Sequence, residues 1–222
     1  MALAIDGQVH TNSGGSASLA VSLTTTLTND YIIVCITTNG APVTSVTSAH
    51  LTFSFIVAVD AVGQDIEFWA AFSTGALSSE SITINTTTSA FLTIDAFGVS
   101  GSGQTSLVFD SGGPQTGIVD PVSITTVNAN TMVIAGLRQS TFAAEPAGSG
   151  FSTLNTADFQ LVEYKVLTSA QTLSCTQNNP GTANGVLVIA IVQATGFTWS
   201  MMDEESAAIA KGHWRRDMIR HD

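Results

Sequence analysis

Apolar positions along this chain recur mostly with the period of strands. Ser18-Leu-Ala-Val-Ser-Leu23 alternates with period two and places Leu19, Val21 and Leu23 on one face. Tyr31 to Thr38 is instead a continuous β-branched run, closed by the turn Asn39-Gly-Ala-Pro42, the pattern of a central strand. Val43 to Val46, Leu51 to Val59, Ile66 to Phe72, Ser81 to Asn85 and Phe91 to Val99 continue the series, with a connection at Gly75 to Ser79. Ala2 to Val9 reads as a first strand, ended by the turn cluster Thr11-Asn-Ser-Gly-Gly15.

The series is then written again. Val21-Ser-Leu-Thr-Thr25 is echoed by Val122-Ser-Ile-Thr-Thr126, Asn29-Asp30 by Asn128-Ala-Asn130, and Ile32-Ile-Val-Cys35 by Met132-Val-Ile-Ala135. Aligned without gaps, Ala90 to Gly101 and Gly185 to Gly196 match Leu92 with Leu187 and Ile94 with Ile189. Upstream of these, Glu67 and Trp69 match Glu163 and Tyr164. The glycine-rich stretch from Gly98 to Gly117 reads as the connection between copies, and Thr141 to Ala157 as a long loop. Phe159 to Leu167, Thr172 to Thr176 and Val186 to Val192 complete the set.

About twelve strands without intervening helices predict an all-β protein of antiparallel sheets packed face to face. The expected architecture is a jelly-roll-like β-sandwich built from two similar halves, residues 17–101 and 118–196, within a body of residues 1–198. A single sandwich is favoured over two, because Leu107, Val108 and Phe109 carry apolar character through the linker. Leu92, Ile94, Leu187 and Ile189 are expected in the core.

After Trp199 the pattern changes to that of a short amphipathic helix over residues 199–222. Ser200 or Asp203 can cap it, acids fill its first turn and bases cluster near its end. Ala207, Ala210, Trp214 and Met218 form one stripe, which Gly212 weakens by about 1 kcal/mol. Trp199, Trp214, Arg215, Arg216, Met218 and Arg220 are the candidate partner-docking residues.

Composition narrows the function classes. Charged residues are 10% of the chain, against about a quarter in an ordinary soluble domain. Ser, Thr, Ala, Val and Gly take their place. Up to Thr198 only Arg138 and Lys165 are basic against twelve carboxylates, so the body is acidic and nucleic acid is not an expected partner. A cationic helix on such a body finds its electrostatic complement on an acidic neighbouring copy or a partner protein. Met1 to Asp6 lacks the basic start of a signal peptide, and the longest apolar run, Gly185 to Val192, is too short to span a bilayer.

Candidate chemistry is sparse. Cys35 and Cys175 lie in apolar runs and read as small core hydrophobes. His10, His50, His213 and His221 have no carboxylate or cysteine at ligand spacing, so no metal is expected, nor any other cofactor. Gly98 to Gly103 lacks the lysine and following helix of a phosphate cradle. Asp65 and Glu67 share a strand face and read as a solvated strand edge rather than an acid pair or calcium contact. Trp69 and Tyr164 read as core aromatics, with sugar platforms as the alternative. No enzyme is expected.

The runs Asn29 to Ala49, Ile66-Glu-Phe-Trp69 and Leu77 to Ile84 resemble a β-sandwich module of phage virion and bacterial surface proteins, with Ser48 where that module usually has Asp. The resemblance implies a structural or adhesive role. The expected function is a structural protein of a phage-like virion, a capsid decoration protein or a tail, neck or fibre component. Such a protein would be made in the host cytoplasm and would act as a homo-oligomer docked to other virion proteins. A bacterial surface adhesin or carbohydrate-binding module, taking a host-surface glycan, is the alternative.

Overall fold

The computed structural model describes residues 2–60, 65–104, 106, 108–139, 146–177 and 183–194. The expected helix and all six candidate docking residues, Trp199, Trp214, Arg215, Arg216, Met218 and Arg220, lie outside them. The described residues are all-β, with antiparallel pairing throughout and no helix among them.

Two long strands set the first sheet. β1 (Ala4–Leu23) and β6 (Glu80–Ser100) pair from end to end except at a break, and both bend there, where the register shifts around Ser13, Ser16 and Ser18. Beyond the bend the strands belong to different layers. The half of β6 from Leu92 onward pairs Ala4 to Ser13 of β1 on one side and β2 (Asp30–Thr38) on the other. The sheet then continues through β5 (Asp65–Ser73) to β4 (Ser54–Asp60). The first half of β6 pairs Ser16 to Leu23 of β1 and β3 (Val43–Ser48). Thus Thr11 to Gly15 is not a strand-ending turn, and Ser81 to Val99 is one strand rather than two.

A second sheet has the order β10 (Ser152–Ala157), β11 (Gln160–Leu167), β9 (Thr131–Gln139), β13 (Ala183–Val192), β7 (Gln115–Gly117). β8 (Val122–Thr125) and β12 (Thr172–Cys175) form a separate pair. The expected loop from Thr141 to Ala157 therefore ends in β10, whose polar sequence Ser-Thr-Leu-Asn-Thr-Ala hides a strand that among the described residues pairs with β11 alone.

Buried apolar side chains form three clusters. The central one joins the two large sheets through Tyr31, Ile33, Phe68, Phe97, Ile134 and Leu187. An outer cluster packs the first sheet against β3 and the bent halves of β1 and β6, and another packs the second sheet against β8 and β12. β2 and β9 are buried at every position because each feeds two clusters with alternate residues, which is why both read as continuous apolar runs.

Leu92, Ile94, Leu187 and Ile189 are all fully buried, but Leu92 and Ile94 face an outer cluster and Leu187 and Ile189 the central one. The gapless match therefore does not preserve facing. A slip of one residue reverses every side chain of a strand, and a strand covered on both faces gives no polar position to reveal it. Trp69 and Tyr164 separate in the same way, onto an outer cluster and the central one.

Carboxylates fasten the loops. Asp6 accepts the backbone N–H groups of Thr26 and Leu27 at 2.9 and 2.7 Å, and Asp110 accepts those of Val127 and Asn128, both at 3.0 Å. Burial opposes the ionisation of both, yet these bonds outweigh it and hold the two carboxyls below the usual range. Around them the backbone repeats itself: Thr25 N–H donates to Leu77 O and Thr126 N–H to Gln171 O, each at 3.0 Å, and Asn29 and Asn130 take φ of 61° and 54°.

Other carboxyls are buried with less support. Asp30 has no donor on either oxygen and faces Asp6, so burial, then the neighbouring charge, pushes it up to about 7. Glu163, fully buried, accepts Gly148 N–H at 2.8 Å, and burial still pushes it up to about 7. Both pKa values are raised by folding. The associated stability is complete below the unfolded carboxyl pKa and lost as pH rises through about 7. Thermal melts should therefore give a Tm several degrees lower at about pH 8.5 than at about pH 5.5, since roughly 1 kcal/mol moves Tm by about 2–4 °C in a chain of this size. Asp30→Asn should raise the alkaline Tm and flatten the profile; an unchanged profile would contradict the burial of an ionisable Asp30.

Candidate functional site

The densest meeting of titratable side chains lies where the edge of the first sheet crosses the turn between β10 and β11. His10 projects from β1, its ring nitrogens 3.5 Å from Asp95 Oδ2 on β6 (Nδ1) and 2.9 Å from Asp158 Oδ2 in that turn (Nε2). Gln8 donates to Asp95 Oδ1 at 3.1 Å and to Leu154 O at 2.6 Å. Asn12 donates to Asp158 Oδ2 at 2.5 Å, and Thr93 to Asp158 O at 3.0 Å. Strand alternation explains the grouping: Gln8, His10 and Asn12 are two apart on one face of β1, as are Thr93 and Asp95 on β6.

The turn is built to reach across. Asp158 and Phe159 have φ of 55° and 66°, the conformation of a two-residue hairpin turn that ordinarily takes Asn-Gly. Holding a phenylalanine there costs on the order of 1 kcal/mol. Several contacts offset that strain. Arg138 stacks 4.7 Å from the Phe159 ring centroid, Phe91 meets the ring edge-on at 5.6 Å, and Gln139 N–H donates to Phe159 O at 2.7 Å.

A neutral imidazole carries one N–H and can satisfy only one of two flanking carboxylates; the imidazolium satisfies both. Asp95 chiefly, then Asp158, raise the His10 pKa against the opposing effect of burial. The geometry therefore favours the charged imidazole over the neutral one. Cys35 lies beside Asp95, its thiol pKa raised by burial, and it accepts from Gln160 Nε2 at 3.2 Å. Arg138 is itself buried, which lowers its pKa to about 10.

None of this was visible as spacing, because Asp95 and Asp158 come to His10 from 85 and 148 residues away. Only the alternation of Gln8, His10 and Asn12 within a strand hints that a polar face is being built. Asp65 and Glu67, expected on a solvated edge, are both buried, because β5 lies inside the sheet between β2 and β4. Burial raises both pKa values, and Glu67 accepts the Trp69 indole N–H at 2.7 Å. Cys35 and Cys175 are buried free thiols. His50 contacts Glu80 Oε2 at 2.7 Å beside a cavity of about 400 Å3 lined by Phe72, Ser73, Thr74 and Leu77. Glu80 is held below the usual range by Ser48 first, against burial, with His50 adding to it. Gly98 lies within β6, where a Cβ would strike Asp6 O at 2.4 Å. Among the described residues no group of three or more His, Cys, Asp or Glu is placed to hold a metal ion.

Comparison with protein-family models, curated proteins and solved structures finds no match to this chain.

By NMR titration the His10 imidazole should ionise above 6.5, and Asp158→Asn should lower that value. The linked stability is present below 6.5 and lost as pH rises through the folded pKa. A His10 titrating at or below 6.5 in the folded protein would contradict the two-carboxylate geometry.

Proposed function

We propose that the chain is a structural protein of a phage-like virion, a capsid decoration protein or a tail, neck or fibre component, working as a homo-oligomer. The body is two similar jelly-roll-like halves packed back to back. The strand orders β1-β6-β2-β5-β4 and β7-β13-β9-β11-β10 support this, because they follow the same succession. The matched bonds of Asp6 with Thr26 and Leu27 and of Asp110 with Val127 and Asn128 support it further. In the first half the bent β1 and β6 run from one layer to the next, as paired strands of a jelly roll do; in the second, β7, β8, β12 and β13 take those places. Jelly rolls build capsids and lectins alike, so this part of the reading is fold-level analogy.

The observation that carries the self-assembling role is the near absence of charge on the outside. Among the described carboxylates, Asp6, Asp30, Asp65, Glu67, Glu80, Asp95, Asp110, Asp120 and Glu163 are buried, and so is Arg138. Of the described acids of the body only Asp60 is exposed and Asp158 half-buried. What faces outward is hydroxyl-rich, with exposed apolar residues such as Phe55, Ile118, Val119 and Val127. Two copies that meet through such a surface have few charged side chains to strip of water. In this reading the docking of residues 199–222 draws on Trp199, Trp214 and Met218 together with attraction between Arg215, Arg216 or Arg220 and a body of twelve acids against two bases.

Mass spectrometry of purified particles should find this chain in many stoichiometric copies, and deleting Met201 to Asp222 should reduce its attachment. Absence from particles, with binding on a glycan array lost in Phe55→Ala, would replace this reading with a carbohydrate-binding one. The exposed Phe55 stands edge-on to Trp69 at 5.6 Å.

A further inference from the structure

We propose that residues 2–13, the arm that forms the first half of β1, exchange between copies: the arm leaves its slot beside β6 and fills the same slot on a second molecule. The inference deepens the self-association proposed above and does not depend on a virion.

Four observations carry it. Among the described residues the arm pairs with β6 alone, so its outer edge is free and its inner edge can be released without breaking another strand pair. It ends at Ser13-Gly14-Gly15-Ser16, where the register slips on both sides of Ser16. At Gly14 a Cβ would meet nothing within 4 Å, and at Gly15 only Ser89 Oγ at 3.9 Å, and neither has a positive φ. Space and backbone conformation therefore do not demand glycine at this bend; two adjacent glycines supply freedom to turn there, as a hinge requires.

The slot also dictates its occupant. Emptying it would uncover Phe97 and Val99 of the central cluster, which Leu3 and Ile5 help to cover. It would also leave the N–H groups of Thr26 and Leu27 without Asp6, and Asp95 without Gln8 and His10. A segment that restores all of these contacts has the arm's own sequence, so the partner is a second copy of this chain.

The arm is fastened by two polar clamps, and both loosen in the same direction. At the first, Asp6 faces Asp30 of β2; with Asp30 at about 7, its ionisation as pH rises sets two carboxylates against each other. At the second, His10 lies between Asp95 of β6 and Asp158 of the β10–β11 turn. Gln8 and Asn12 flank it on its own strand, Cys35 of β2 lies beside Asp95, and Arg138 of β9 stacks on Phe159. Loss of the His10 proton leaves one carboxylate without its charged partner. Exchange is therefore slow in mild acid and faster above neutrality.

The test uses the directly paired positions Val9 and Ala96. Full-length Val9→Cys and Ala96→Cys proteins, one carrying a size tag, are mixed under reducing conditions at each pH and then briefly oxidised with a disulfide reagent at one common pH, with wild type, whose own cysteines are buried, as the background. After exchange for set times at about pH 8.5 or one to two units lower, the yield of mixed disulfide dimers captured at the common oxidation pH should show exchange about tenfold slower at the lower pH, one pKa unit corresponding to about 1.36 kcal/mol. His10→Gln should speed exchange at the lower pH, and Gly14→Ala with Gly15→Ala should slow it at the higher one. The Val9→Cys, Ala96→Cys double variant should close its disulfide within one chain and block exchange. If that internal disulfide closes but mixed dimers do not form at either pH, the inference is wrong, whether or not the chain self-associates through other surfaces. Mixed dimers at equal rates at both pH values, unaffected by His10→Gln, would overturn the gating.

Discussion

A buried carboxylate that accepts backbone N–H groups is the interaction on which the arrangement of this body most depends. Asp6 and Asp110 each gather the start of a loop that leads into a doubly covered strand, β2 or β9, and so set where those strands enter the sheets. Each such bond from an amide to a buried charge is worth about 1.5–3 kcal/mol, and its loss would leave the carboxylate, buried in both cases, without that support. The apolar clusters supply most of the driving force, but they are indifferent to register; the carboxylates are not.

Putting charge inside has a consequence outside. A chain with a formal net charge of −11 folds so that most of its described carboxylates are out of solvent, which leaves few charged side chains on the described surface. Buried acids that are poorly supported, Asp30 and Glu163, then titrate near neutrality, and the pKa of His10 is raised by one carboxylate from each of the two large sheets.

Much of the strand content was readable from residue patterns, because β-branched runs and glycine turns act locally. The connection from Gly75 to Ser79 and the burial of Cys35 and Cys175 fall where the patterns put them. The failures share a cause. Ser13-Gly-Gly-Ser16 has the composition of a turn, yet β6 holds it within one bent strand; β10 is polar because it lies at an edge; Leu92 and Leu187 look equivalent because doubly covered strands show no polar face. The cluster around His10 depends on the stacking of one sheet on another, which no spacing along the chain encodes.

The central claim is that a body with its charges inside associates with copies of itself through a neutral surface. Sedimentation equilibrium of the full chain at low and at molar salt tests it most directly, since salt at that level shortens the reach of exposed charges to about 3 Å. The account predicts an oligomer whose association is unchanged or strengthened by salt. A monomer under both conditions, or an oligomer that dissociates as salt is added, would contradict it.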